Sequence, residues 1–157
     1  MKPLISLLLA KAGLSLATAV LFLALACGEY DSEEANYSGA FGHWLYRSVQ
    51  LSQEIERART YADVPDFEPV FRDQLQTMAS RQLEFNDHLR GVVPPKSLSK
   101  KHGLIVGVLD LYQDPLAGFT RVSSSPEPLP SLISRFEAEQ AKLMDAVITC
   151  YAESPAC

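Results

Sequence analysis

The chain has 157 residues, 47% hydrophobic and 21% charged, with 10 prolines, 8 glycines and 3 cysteines. This excludes a disordered acidic chain and a collagen-like repeat, and the length suits one domain. Fourteen Lys and Arg stand against 19 Asp and Glu, a net charge of -5; Lys2 and Lys11 both precede residue 28, which leaves 12 against 19 beyond it. That balance argues against a general nucleic-acid binder, which needs clustered cations.

The N-terminus reads as an address. Lys2 and Lys11 give a positive start, and Ala12 to Ala26 is a run of 15 residues without a charge. As a helix it would span about 22 Å, short of a hydrocarbon core of about 30 Å. That length suits a secretory signal over residues 1–26 better than an uncleaved anchor, which would bury Lys11 in lipid. The run closes Leu23-Ala24-Leu25-Ala26-Cys27. It resembles the lipobox of bacterial lipoproteins, with Ala24 where the commonest form has Leu. The resemblance implies that Cys27 carries a diacylglyceryl thioether and becomes the new N-terminus. Gly28 after the Cys resembles the address of outer-membrane lipoproteins. Ala24-x-Ala26 is equally an A-x-A site for ordinary signal peptidase. Cysteine parity favours the lipobox, since lipidation of Cys27 leaves Cys150 and Cys157 as an even pair.

Residues 27–37 are acidic, without apolar period, and read as a solvated tether; residues 38–157 follow as the folded domain. A first helix is expected over Ser38 to Tyr61, with Phe41, Leu45, Ser48, Val49, Ser52 and Ile55 on one face. Asp63-Val64-Pro65-Asp66 breaks it, and Asp66 suits the N-cap of the next helix. Phe71, Leu75, Met78, Gln82, Phe85 and Leu89 then repeat at four and three, the seam of a packed bundle. Gly91 ends that helix and Pro95 opens the third. Leu98, His102, Ile105, Leu109, Tyr112 and Leu116 continue the same spacing, with Pro115 ending or kinking the helix. Ser123 to Pro130 reads as an extended proline-rich link. A fourth helix is expected over Ser131 to Tyr151, with Leu132, Phe136, Leu143, Val147 and Cys150 inward. The connectors are short, so the expected fold is all-α, an antiparallel up-down four-helix bundle behind an N-terminal signal segment.

Pro94-Pro95-Lys96-Ser97-Leu98 followed by His102 resembles a recurrent pattern of small helical bacterial lipoproteins. There a double proline opens a helix that carries Leu and then His on its inner face. The resemblance covers about residues 89–112 plus the lipobox. It implies the fold and a cell-envelope location, on the periplasmic side of an outer membrane or on the cell surface. It implies no activity and no catalytic residue.

Little else carries chemistry. An up-down bundle would bring His43, His88, His102 and Cys150 to one end. Their facing argues against a metal, because His102 lies on the apolar stripe, His88 at a stripe edge, and His43 half a turn away. His88 and His102 stay as weak metal candidates, and no cofactor is expected. Cys150 and Cys157 in an oxidising compartment read as a disulfide that restrains the last helical turn. Gly103-x-x-x-Gly107 is expected to admit a large side chain such as Trp44 or Phe85, and Trp44 is expected in the core, the alternative being an exposed anchor for a partner. No nucleophile elbow, Walker loop, dinucleotide fingerprint or haem site occurs, so an enzyme is not expected. The expected function is that of a lipid-anchored binding or structural module of the envelope. It would touch the membrane through Cys27 and an envelope protein through its surface. The alternative is a small-ligand or metal carrier using the histidine-bearing end.

Overall fold

The computed structural model describes residues 32–61, 64 and 68–152. It is all-helical. Five α-helices run α1 (Ser32–Tyr61), α2 (Glu68–Arg90), α3 (Ser99–Leu111), α4 (Gln113–Ala117) and α5 (Leu129–Ala152). Two 3-10 segments, Lys96–Leu98 and Gly118–Ser124, join them, and no strand occurs among the described residues. None of these helices is long and apolar enough to cross a membrane.

The longest helix begins earlier than its apolar spacing first suggests. α1 starts at Ser32, with Glu33 and Glu34 in its first turn, where carboxylates offset the positive end of the helix dipole. Residues 32–37 are therefore helical rather than tether, and Tyr37 is buried at 1% exposure. Continuing inward, Tyr37, Phe41, Trp44, Ser48, Leu51, Ile55 and Ala58 form a seam at alternating four- and three-residue spacing. The remainder of the tether, residues 27–31, lies outside the described residues, as do the signal segment, Asp66 and Cys157.

α2 buries Leu75, Met78, Gln82 and Leu89, together with Ala79 and Asn86 beside the seam. It ends at Arg90, where the Gly91 N–H donates to the Asp87 carbonyl at 3.0 Å. Pro95 is extended, with φ -63° and ψ 157°, and turns the chain into the 3-10 turn that opens α3.

The third expected helix is two. α3 stops at Leu111, and α4 restarts at Gln113. Pro115 explains the restart, because it has no N–H to give the Leu111 carbonyl and sits instead in the first turn of α4, where donors go unused anyway. The chain then tightens into the second 3-10 segment, which buries Phe119 and Val122. This segment packs along α2, and Phe119 meets Phe136 of α5 edge-on at 5.1 Å. The link expected to be extended over Ser123 to Pro130 is short, since the 3-10 segment holds Ser124 and α5 begins at Leu129.

Arg72 fastens this corner. Its side chain is 12% exposed and donates to Glu68 at 2.7 Å, to the Glu127 carbonyl at 2.7 Å and to the Val122 carbonyl at 3.3 Å. The glycine pair on α3 does not pack as expected. Gly103 and Gly107 are both exposed, and a Cβ at either would meet nothing within 4 Å.

Candidate functional site at the histidine-bearing end

Side-chain pairings bring four segments to one end of the molecule. The first turns of α1 meet the start of α3 through Ser97, whose hydroxyl donates to Glu34, and through Tyr37 and His102. The same part of α1 meets the end of α2 through Trp44 and Asn86 at 3.0 Å, and the rings of His43 and His88 at 6.1 Å. It meets the end of α5 through Phe41 and Tyr151, whose rings stack at 3.8 Å.

Tyr37 and His102 form the inner contact. The Tyr37 hydroxyl lies 3.0 Å from His102 Nδ1, and the imidazole is 8% exposed. Burial, and then the neighbouring Tyr151, push the Tyr37 phenol up to about 12. The phenol therefore keeps its proton at ordinary pH and is the donor, which leaves Nδ1 of His102 as acceptor. Around this pair, Tyr151 donates its hydroxyl to Ser38 at 3.1 Å. Lys101 donates to the Tyr151 backbone carbonyl at 2.9 Å and lies 5.4 Å from the centre of its ring.

His43 and His88 are apart from this pair and exposed. His43 accepts from Arg47 at 3.4 Å. Among the described residues no three His, Cys, Asp or Glu side chains gather as a metal set would. His88 and His102, the weak metal candidates, therefore contribute to no such set. Cys150 is buried on α5; the expected bond to Cys157 and the expected lipid on Cys27 both involve residues outside those described.

Inward of the histidines lies a polar layer inside the core. Asn86 Oδ1 accepts from Trp44 Nε1 and from Gln82 Nε2, each at 3.0 Å. Gln82 also donates to Ser48 Oγ at 3.2 Å, and Gln140 donates to Gln82 at 3.1 Å and to the Ser48 carbonyl at 3.2 Å. Ser52 closes the layer by donating to Gln140 at 3.2 Å. Asn86 Nδ2 has no partner among these groups although it is buried.

Sequence reasoning placed Gln82, Ser48 and Ser52 on inner faces and Trp44 in the core. It missed Tyr37, whose signal was its position four residues before Phe41. Asn86 and Gln140 carried no signal, since polar residues beside an apolar seam read as solvated. Chemically, this end holds its four segments together.

Compared with protein-family models, with curated proteins and with solved structures, the chain matches none.

Proposed function

We propose that the chain is a lipid-anchored helical-bundle protein of the bacterial cell envelope that acts by binding or as a structural module. Cys27 carries the lipid after removal of residues 1–26, and two or three acyl chains hold the protein where one would not. The observation that supports this reading is the run Leu23-Ala24-Leu25-Ala26-Cys27, with the even cysteine pair it leaves. Ser32 already belongs to α1, and Tyr37 is locked to His102 on α3. An anchor at Cys27 therefore lies five residues before the first residue of α1. In the same reading α1, α2, α3 and α5 run alternately up and down as a four-helix bundle, with α4 a step at the end of α3. The pairings of α1 with the ends of α2 and α5 and with the start of α3 support that arrangement.

The alternative is small-ligand carriage. The observation in its favour is a groove of about 670 Å³ between α1 and α2, lined by Ala58, Tyr61, Val70, Phe71 and Met78. Its α1 lining, Glu54 to Tyr61, sits about 26–36 Å along the helix from Tyr37, taking about 1.5 Å per residue, so it does not use the histidines.

The test is the intact mass of protein taken from the host's membrane fraction without reduction. The expected mass is that of residues 27–157 plus lipid, less two hydrogens for a Cys150–Cys157 bond. A soluble product without lipid overturns the anchored reading. A native mass excess that is lost on denaturation favours the carrier, and the anchored module instead crosslinks to a reproducible envelope neighbour.

A further inference from the structure

α3 is apolar on every side. No Asp, Glu, Lys or Arg occurs between Lys101 and Asp110. His102, Ile105 and Leu109 are buried on its inner side. At about 100° per residue, Gly103, Gly107 and Leu111 lie on the opposite side. All three are exposed, Leu111 at 73%, and half-buried Leu104 and Val106 flank them. A helix that is hydrophobic all round belongs to a buried setting. α2 shows the ordinary case, with Asp73, Thr77, Ser80, Glu84 and Asp87 exposed, one polar side chain in each turn. Among the described residues the outer side of α3 is uncovered, since a Cβ at Gly103 or Gly107 would meet nothing within 4 Å.

This outer side is complementary to itself. The Tyr112 N–H donates to the Val108 carbonyl at 3.3 Å and the Leu116 N–H to the Tyr112 carbonyl at 3.2 Å, so helical winding runs on past the end of α3. Asp114 in the first turn of α4 therefore joins the line Lys100, Gly103, Gly107, Leu111. Reversed and laid against itself about Gly107, that line sets Leu111 over Gly103, Gly107 against Gly107, and Lys100 against Asp114. Leu111 is the exposed knob and Gly103 the hollow. Lys100 and Asp114 are exposed and form no ion pair or side-chain hydrogen bond among the described residues. The charges next to them are already engaged, Lys101 with the Tyr151 carbonyl and Asp110 with Arg90. A parallel pairing would instead set Lys100 on Lys100 and Leu111 on Leu111. A face shaped for a different protein has no reason to match its own reverse, whereas a two-fold interface must do so. The fit is one of register and does not depend on net charge.

We propose that α3 pairs with α3 of a second copy of this chain, antiparallel, about a two-fold axis beside Gly107. The line from Lys100 to Asp114 is about 21 Å long at about 1.5 Å per residue. One short helix against another makes a contact at the low end of interface sizes, so the pairing is reversible and the copies separate on dilution. Copies confined to one membrane would meet far more often. By symmetry, an axis along the membrane normal puts both Cys27 residues at one height, so the pairing fits the anchored reading without resting on it.

Gly107→Cys in the otherwise unchanged full-length chain tests it, because on the axis each new thiol meets its own copy within disulfide reach. The cell fraction that holds the chain, membrane or soluble, is oxidised with copper phenanthroline and run on a non-reducing gel. Gly107→Cys should give about fivefold more dimer than the wild type or than Ala141→Cys, an exposed position on α5. Lys100→Glu turns two attractions per pair into repulsions and should cut that yield about fivefold. Adding Asp114→Lys should restore it, since only a chain paired antiparallel with itself is rescued by exchanging two charges of its own. Gly103→Leu fills the hollow and should cut the yield as far, while the thermal transition of the purified protein stays where it was or rises. Gly103→Cys with Leu111→Cys, which meet in the same register, repeats the test should Gly107→Cys fold poorly. A dimer yield no higher than that of Ala141→Cys overturns the pairing. A crosslink to a different protein overturns it too, as does a loss in Lys100→Glu that Asp114→Lys does not restore.

Discussion

Asn86 concentrates the polar chemistry of the core in one carboxamide. Its oxygen takes both the Trp44 indole N–H and the Gln82 amide, and all three groups are shut away from water. Truncation to alanine strands two buried donors, each costing about 1–3 kcal/mol when unpaired. Asn86→Ala should therefore lose about 2–4 kcal/mol in urea unfolding, more than its small volume would suggest. A loss under 1 kcal/mol would mean that Trp44 and Gln82 find other acceptors. Tyr37 supplies a pH prediction at the same scale. Its phenol is pushed up to about 12 by burial, against an ordinary value of 10. The folded protein thus holds the phenolic proton after the unfolded chain has released it. Stability from this source is full below pH 10, falls as pH rises from 10 to 12, and is level above that. The gap corresponds to about 2–3 kcal/mol. Unfolding midpoints at pH 9 and pH 11.5 should therefore differ more in the wild type than in Tyr37→Phe; equal differences would show that the Tyr37 hydroxyl does not carry the effect.

At the scale of elements, α3 is a helix with slack in it. Gly103 and Gly107 sit inside it, exposed, with open space where a Cβ would go. A glycine there costs about 0.5–1 kcal/mol relative to alanine, through backbone freedom in the unfolded chain. Gly103→Ala with Gly107→Ala should raise stability by about 1–2 kcal/mol; a loss would reveal a neighbour that packs on this face. Arg72 acts in the other direction. It joins α2 to the 3-10 segment and to the turn before α5 through charge-assisted bonds at 12% side-chain exposure. Arg72→Lys keeps the charge but cannot reach three acceptors at once, and should cost about 1–3 kcal/mol by thermal unfolding. A change below 0.5 kcal/mol would show that the corner holds without the clamp. These two elements mark the boundary of what the sequence discloses. The α2 seam is legible because six residues repeat at four and three, and four of them are buried. The glycine pair misleads because its spacing says that a close approach is possible, not that a neighbour makes it. The break at Tyr112 is legible only as an ambiguity. Pro115 must end or restart a helix, and which it does depends on whether Phe119 and Val122 can be buried beyond it. At the histidine end, His102 could be placed inward from its stripe. Its partner was hidden because Tyr37 lies in an acidic stretch whose charges mask the one aromatic that continues the seam.

For the molecule as a whole, the question is why the helices settle in one arrangement. Seams repeating at four and three can slide past one another by a heptad at modest loss, because leucine fits against leucine in either register. A polar layer cannot slide. Ser48 and Ser52 on α1, Gln82 and Asn86 on α2 and Gln140 on α5 hydrogen-bond to one another in one register, with only Asn86 Nδ2 left over. Shifted by a turn, each would face an apolar side chain and lose its partner, at about 1–3 kcal/mol per group. The layer therefore contributes less to stability than to the choice among packings, since apolar replacements of buried polar sets are often neutral or stabilising. The combined replacement Trp44→Phe, Ser48→Ala, Gln82→Leu, Asn86→Leu and Gln140→Leu isolates the two effects. Its unfolding free energy should match or exceed that of the wild type within about 2 kcal/mol, whereas its packing should lose uniqueness. That loss would appear as doubled or broadened amide resonances and as new binding of a hydrophobic dye. A variant equally stable with a single sharp set of resonances would show that the apolar seams alone select the register, and that the polar layer is kept for another purpose.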